Sequence, residues 1–144
     1  MADSNITGCI YGDRQGSVIP TQSYPIVSNT STTATTFMRV QASTYAPVVI
    51  EAQIVVLTAD GGTSPTLSVG YTASGYTDLI NAASTATAAT GGTFLPASNA
   101  VGKKILTTDT DLVYKQGGTP AGDGVTYILL KIYSVNTSTQ TGIN

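Results

Sequence analysis

An eleven-residue stretch, Val48–Thr58, constrains the fold of this chain more than any other part of its sequence. Alternate positions from Val48 to Val56 are all apolar, whereas the positions between them include Glu51 and Gln53. A period of two with one apolar face is typical of a β-strand that covers a core with that face alone. This stretch predicts a strand in an antiparallel sheet.

The rest of the chain continues the same pattern in shorter pieces. Apolar and β-branched runs alternate with segments rich in Gly, Pro, Asp and Ser, and the last run has two largely apolar faces, which predicts a central strand. About eight short strands at this spacing predict an antiparallel β-sandwich or jelly roll, with a barrel as the alternative. Besides Val48–Thr58, the predicted strands cover residues 36–41, 66–72, 103–107, 112–116 and 125–135.

One helical element is expected within this β-rich chain. Thr77 or Asp78 is placed to accept hydrogen bonds from the first backbone N–H groups of a short helical turn over residues 79–83. The Ser, Thr and Ala tract that follows limits such a helix to about two turns.

The first 36 residues differ from the rest of the chain in composition. Pro20 and Pro25 interrupt them, and residues 28–36 are all Ser, Thr, Asn or Ala, with little to bury. We therefore expect an extended N-terminal arm over residues 1–36, which pairs with the body or with a neighbouring copy, and a β-sandwich body over residues 37–144.

Composition excludes several classes of function. The chain has no His, so Ser-His and Cys-His catalysis and imidazole metal ligands are ruled out, and its single Cys excludes an internal disulfide. Six basic and eight acidic residues argue against a nucleic-acid partner.

The N-terminus carries no secretory pattern, and the longest apolar run contains Glu51 and Gln53. We therefore expect no membrane partner and expect synthesis in a cytoplasm.

No group of residues forms a recognisable reaction centre. Asp109 and Asp111 have the spacing that starts a calcium loop, but the later positions of that pattern are not matched. Glu51 is the single Glu and has no predictable carboxylate partner, and Cys9 lacks an activating base. We therefore predict no catalytic, cofactor-binding or metal-binding residue and expect that the chain is not an enzyme. A hydrolase that uses Glu51 is the least favoured alternative.

The eight Tyr residues keep a carbohydrate-binding β-sandwich module open as an alternative. Tyr71 and Tyr76 flank a turn that contains Gly75, and aromatic faces with polar tips suit saccharides. Packing of these rings in the core or at its rim is the commoner use of Tyr.

Six segments together carry a resemblance to a known class of proteins. They include the strand at 54–59, the residues Thr77-Asp78-Leu79-Ile80 and the closing strand at 125–133, and they resemble small virion proteins of tailed bacteriophages, of the head-decoration or cement type. The resemblance implies a β-sandwich or jelly-roll body, often trimeric, on the outside of an icosahedral capsid, with the major capsid protein as partner and without cofactor. The other three segments are 66–70, 111–114 and 117–122.

These observations lead to one expected function. A chain with only 10% charged residues and abundant hydroxyl groups suits a protein that remains packed against other copies of itself or against partners in an assembly. We expect a capsid decoration protein that binds the outside of a phage head and stabilises it by bridging coat subunits, as a homotrimer in the virion. A tail or fibre component is the structural alternative.

Overall fold

The protein is described by a computed structural model that covers residues 18–88 and 103–134. Within these residues every regular element is a β-strand. The chain alternates strands with short connections because its turn residues recur between runs of β-branched residues. The strands are β1 (Val18–Val27), β2 (Thr35–Val40), β3 (Val48–Thr58), β4 (Thr63–Gly70), β5 (Ile80–Ser84), β6 (Lys104–Leu106), β7 (Thr110–Thr119) and β8 (Val125–Ser134).

The eight strands form two four-stranded sheets in which all pairings are antiparallel. The first sheet has the order β1-β8-β3-β6 and the second the order β2-β7-β4-β5. The first strand thus pairs with the last, the second with the seventh, the third with the sixth and the fourth with the fifth. This nesting is the topology of an eight-stranded jelly roll, which confirms the predicted fold class and selects the jelly roll from the forms considered.

The core lies between the two sheets and is built from alternate strand positions. The inward side chains of β3 are those expected, and Ile50 and Val56 have no exposed surface. The strand β8 lies between β1 and β3, so the prediction of a central final strand is also confirmed. The second sheet contributes Leu67, Val69 and Leu112 to the same core.

The predicted helical turn at 79–83 is wrong. These residues enter β5, which pairs with β4 through Val69 opposite Ile80, and the backbone N–H of Leu79 donates to the carbonyl of Val69 at 3.0 Å. Leu79 and Ile80 are both fully buried. Burial against the core overrides the local helix signal because a lone two-turn helix is marginal in water.

The described part of the expected N-terminal arm is built into the sandwich. Among the described strands, β1 lies at an edge of the first sheet, with Pro25 opposite Tyr127 in β8, and Thr35 begins β2. An edge strand tolerates proline because the missing N–H can lie on the unpaired side. The boundary expected after residue 36 therefore falls inside the sandwich, and residues 1–17 lie outside the described residues.

Two strands are longer than their sequence pattern indicates. Strand β4 begins at Thr63, before the predicted start at residue 66, and β7 runs through Gly117 and Gly118 to Thr119, beyond the predicted end at residue 116. The two added segments pair with each other, with Thr63 opposite Thr119, because a ladder continues as long as both strands supply backbone groups.

The described residues contain no helix long and apolar enough to cross a membrane.

Candidate functional site

The carboxylate of Asp60 joins three turns at one end of the sandwich. It accepts hydrogen bonds from the backbone N–H of Gly62 at 2.8 Å, from that of Ala121 at 2.7 Å, and from the hydroxyl of Ser28. The side chain is 3% exposed. Burial alone raises the pKa of Asp60, but these hydrogen bonds outweigh it and lower the pKa below its usual value. Asp60 is therefore a structural anchor with its lone pairs occupied.

A small void lies beside this anchor between the sheets. It has a volume of about 10 Å³ and polar lining groups that include Asp60, Thr85 and Gln116. This space suits a single water molecule rather than a ligand. The amide of Gln116 also donates to the carbonyls of Asn29 and Ser31, each at 2.9 Å, and so holds the β1–β2 connection in place.

The pair Asp109 and Asp111 lies against an arginine rather than forming an open cation site. Arg39 in β2 lies 2.9 Å from Oδ1 of Asp111 and 3.5 Å from Oδ2 of Asp109. Asp109 also accepts the backbone N–H of Ala42 at 3.1 Å. All three side chains are about half exposed, so the cluster ties the start of β7 to β2 and adds little stability. Among the described residues, no group of three acidic, His or Cys side chains is placed to hold a metal ion.

Glu51 lies on the outward face of β3 beside a lysine. Its Oε2 is 3.8 Å from Nζ of Lys103, and its register partner in β8 is Lys131. No second carboxylate is placed opposite it within the described part of β8. The geometry supports the interpretation of Glu51 as a strand-face residue near a basic partner. Cys9 lies outside the described residues.

The loop that carries Tyr71 and Tyr76 is closed by Asp78. The carboxylate accepts the backbone N–H groups of Tyr71 and Thr72, both at 2.7 Å, and the Thr72 hydroxyl at 2.8 Å. Burial raises the pKa of Asp78, but these bonds lower it overall. Tyr71 packs against the core, and burial and then the charge of Asp78 raise its pKa. Its ring is therefore used in packing rather than presented for stacking on a sugar.

The outward side of the first sheet is the surface with the strongest indication of an interaction. We call it the outer face and define it by the outward residues of β1, β8, β3 and β6. Of the four large apolar side chains that are well exposed in the described residues, three belong to it: Val27 at 66%, Leu57 at 55% and Ile105 at 67%. Exposed apolar residues that cluster on one surface mark contact sites in soluble proteins.

Register places further apolar and aromatic residues between these three. Ile105 is opposite Val49, and Val49 is opposite Tyr133, so an apolar row crosses the sheet near one end. A second row joins Val55 and Tyr127 and continues to Pro25. A continuous sheet surface of this kind buries apolar area against any partner of complementary shape.

Charges occupy a single band across the outer face. Lys103, Glu51 and Lys131 lie side by side between the apolar rows. The Nζ atoms of both lysines are 5.8 Å from the centre of the Tyr133 ring, within cation–π range. The charged band, together with the polar Gln53 and Ser23 in the neighbouring row, would fix the orientation of a partner on the apolar rows.

The outward side of the second sheet differs in character. It presents Thr36, Arg39, Asp111 and Lys115, all well exposed, which is typical of a face in contact with water. The fourth exposed apolar side chain, Tyr45 at 88%, lies apart at the tip of the β2–β3 loop, in a turn where Ser43 and Ala46 exchange backbone hydrogen bonds at 3.1 Å.

Sequence reasoning did not single out the outer face as a site. The signal is present, because the second set of alternate positions in β3 includes Val49, Val55 and Leu57 and that of β8 includes Tyr127 and Tyr133. Two apolar faces on one strand also indicate a central position in a sheet, and the pattern alone does not separate the two meanings. The strand order that joins these residues into one surface could not be read from the sequence.

Comparison with known proteins gives a structural likeness. No family model matches the chain, and no curated protein matches it. The chain is similar to a chain of a solved structure titled "Cyanophage Pam1 capsid asymmetric unit", with a TM-score of 0.50 and 19% sequence identity. The match covers 84% of this chain and 86% of that one. At this identity the likeness concerns the fold, and it extends over nearly all of both chains.

Proposed function

We propose that this chain is a structural protein of a phage virion that decorates the outside of the head and cements neighbouring coat subunits. The observation that carries the proposal is the apolar outer face on a jelly roll similar to a chain of a phage capsid structure. The resemblance of residues 54–133 to head-decoration proteins supports it independently.

The physical basis for decoration is burial of this face. The outer face holds exposed Val27, Leu57 and Ile105, and covering such residues with a coat surface contributes about 25 cal/mol per Å² of apolar area removed from water. Net charge of −2 and few charged residues allow many copies to pack without strong repulsion. A body that contacts two coat subunits at once resists their separation, which is what a cement must do.

The first experiment is to measure the copy number of this protein in virions. Quantitative mass spectrometry on gradient-purified particles from the culture that encodes the chain is expected to find it at the scale of the coat protein. A handful of copies per particle would move it to the tail or fibre. Complete absence from particles would overturn a virion role and make a carbohydrate-binding module the next hypothesis to examine.

The second experiment tests which face binds. Ile105→Asp and Leu57→Asp place a charge on the outer face, whereas Thr36→Asp places the same charge at an exposed strand position of the other sheet. Added back to particles stripped of this protein, the two outer-face variants are expected to lose occupancy and Thr36→Asp to keep it. Equal occupancy of all three variants would contradict binding through the outer face.

The N-terminal residues have a separate role in this proposal. Removal of residues 1–17 leaves every described strand in place, which a longer deletion into β1 would not. We expect the truncated chain to fold but to bind particles weakly, because the arm would contact the capsid or an adjacent copy. Saturation of particles by the truncated chain would remove the arm from the mechanism. A homotrimer at a three-fold position of the shell completes the proposal.

A further inference from the structure

The charged band of the outer face carries more positive charge than negative charge. Lys103, Glu51 and Lys131 lie side by side across the first sheet, so one carboxylate serves two ammonium groups. Oε2 of Glu51 is 3.8 Å from Nζ of Lys103, and no other carboxylate of the described residues forms an ion pair with either lysine. Whichever lysine Glu51 contacts, one positive charge is left over.

The ring of Tyr133 keeps both ammonium groups on the face. The Nζ atoms of Lys103 and Lys131 are each 5.8 Å from the centre of this ring. A lysine at the rim of a contact keeps its ammonium group in water by extending past the rim. Lys131 belongs to β8, which lies between β1 and β3, so a partner that covers the face also covers the charge of Lys131.

The exposed apolar residues of the outer face lie on both sides of this band. Ile105 and Val49 lie in the row on one side of it, and Leu57 lies beyond it on the other side. From Val49 to Leu57 the strand extends about 27 Å. A standard interface buries about 800 Å² of each partner, which is a patch roughly 28 Å across. A partner that covers the apolar residues at both ends therefore covers the band between them.

Burial of the band sets a requirement on the chemistry of the partner. An ammonium group that loses its water without gaining a carboxylate is among the most costly groups to bury. A purely apolar partner leaves that cost in place, and a second copy of this chain brings the same positive excess to the contact. The chain as a whole has a net charge of −2, so the excess is a local property of this face. A partner with a carboxylate above the band removes it.

We propose that the surface bound by the outer face presents an Asp or Glu side chain that pairs with Lys131, between apolar side chains that cover the rows on either side. Glu51 then keeps Lys103 as its partner, and the contact is electrically neutral. This inference rests on the proposed function, because the bound surface is there a coat protein. It adds the chemistry by which the outer face selects its place on that coat.

A matched pair of variants tests the proposal, because two kinds of partner predict opposite signs. Lys131→Met removes the ammonium group and keeps an unbranched side chain of similar length. Against a coat carboxylate, the variant leaves that carboxylate buried without a partner and weakens binding. Against an apolar coat surface, the variant removes a costly charge and strengthens binding. Lys115→Met is the control, since Lys115 is exposed on the outward side of the second sheet and its loss changes the net charge equally.

The measurement is the occupancy of particles stripped of this protein, over a range of added concentrations and at low and high salt. Lys131→Met is expected to need at least about tenfold more protein for half occupancy than the unaltered chain, and Lys115→Met the same amount as the unaltered chain. Added salt is expected to weaken the unaltered chain more than Lys131→Met, because salt screens the attraction between lysine and carboxylate. Thermal unfolding of both variants controls for folding. Unchanged or tighter binding of Lys131→Met would overturn the proposal, as would equal weakening by both variants.

Carbodiimide cross-linking of decorated particles locates the carboxylate. The reagent joins a carboxylate to an amine that touches it through an amide bond, and the reagent itself takes up the water that is lost. Mass spectrometry is expected to find Lys131 joined to an Asp or Glu of the coat protein and Lys115 joined to none. Joining of Lys131 to Glu51 alone would contradict the proposal.

The unaltered chain distinguishes the two possible failures. Failure of the unaltered chain to bind stripped particles would remove decoration itself, and this inference with it. Binding of the unaltered chain that Lys131→Met matches or exceeds would leave decoration in place and exclude only the carboxylate partner.

Discussion

Asp60 and Ala121, which are 61 positions apart in sequence, are joined by a hydrogen bond of 2.7 Å from the backbone N–H of Ala121 to the carboxylate of Asp60. The same carboxylate accepts bonds from Gly62 and Ser28. One buried side chain thus holds the β1–β2 connection, the β3–β4 turn and the β7–β8 turn together. The end of the sandwich is organised around this residue.

Asp60→Asn is expected to lower the free energy of unfolding by about 2 kcal/mol, because the charge-assisted bonds from Gly62 and Ala121 become neutral ones and an amide NH2 group replaces the oxygen that accepts from Ser28. Asp123→Asn is the control: Asp123 is exposed and accepts one backbone N–H, that of Gly61 at 2.9 Å, so a loss below about 1 kcal/mol is expected. Urea denaturation midpoints at unchanged slope measure both. Similar losses for the two variants would show that Asp60 does not anchor the turns.

Stability is expected to fall in acid. The pKa values of Asp60 and Asp78 are lowered in the folded chain, so the unfolded chain binds protons at a higher pH than the folded chain does. Their contribution is complete above the ordinary aspartate pKa and is lost as the pH falls below about 5 toward the folded values. Urea midpoints between about pH 7 and pH 3 measure this, and the slope in this range should be shallower in Asp60→Asn. An equal slope in the variant would contradict the assignment.

Ile54→Ala is expected to destabilise the fold by about 3 kcal/mol, because Ile54 is 2% exposed and its removal leaves a cavity between the sheets. Gln53→Ala, at the next position but on the exposed outward side, should change stability by less than about 0.5 kcal/mol. Denaturant titration at low protein concentration makes the comparison. A large effect at position 53 would mean that the face assignment of β3 is reversed.

Gly118→Ala is expected to destabilise β7 and its pairing with β4. Gly118 has a φ of 72°, and a Cβ atom added there would collide with the carbonyl oxygen of Ser64. Strain and collision together should cost at least about 1 kcal/mol. Gly61→Ala is the control, since its added Cβ would meet only the Asp123 side chain, at 3.1 Å. Thermal unfolding of both variants checks this, and an unchanged midpoint for Gly118→Ala would refute it.

The strands with strong periodicity could be predicted closely from sequence. Strand β3 has the predicted bounds and buried face, and β8 has the predicted central place. Two local sequence signals led to wrong predictions. The N-cap pattern at Asp78 resembled a helix start, but this carboxylate closes a loop instead, and Pro25 suggested an irregular arm where an edge strand is found. Both errors concern residues whose role depends on a distant partner.

Local sequence by itself determined the class of fold, because a period of two and β-branched residues favour strands whatever lies beside them. It also indicated several of the connections between strands, through Gly, Pro and Asp, although Gly117 and Gly118 lie within β7. Tertiary structure alone decided which strands are neighbours, since antiparallel ladders use backbone groups that every residue supplies. That choice assembles Val49, Tyr133 and Ile105 into one row. The outer face exists because of strand order, which no short segment encodes.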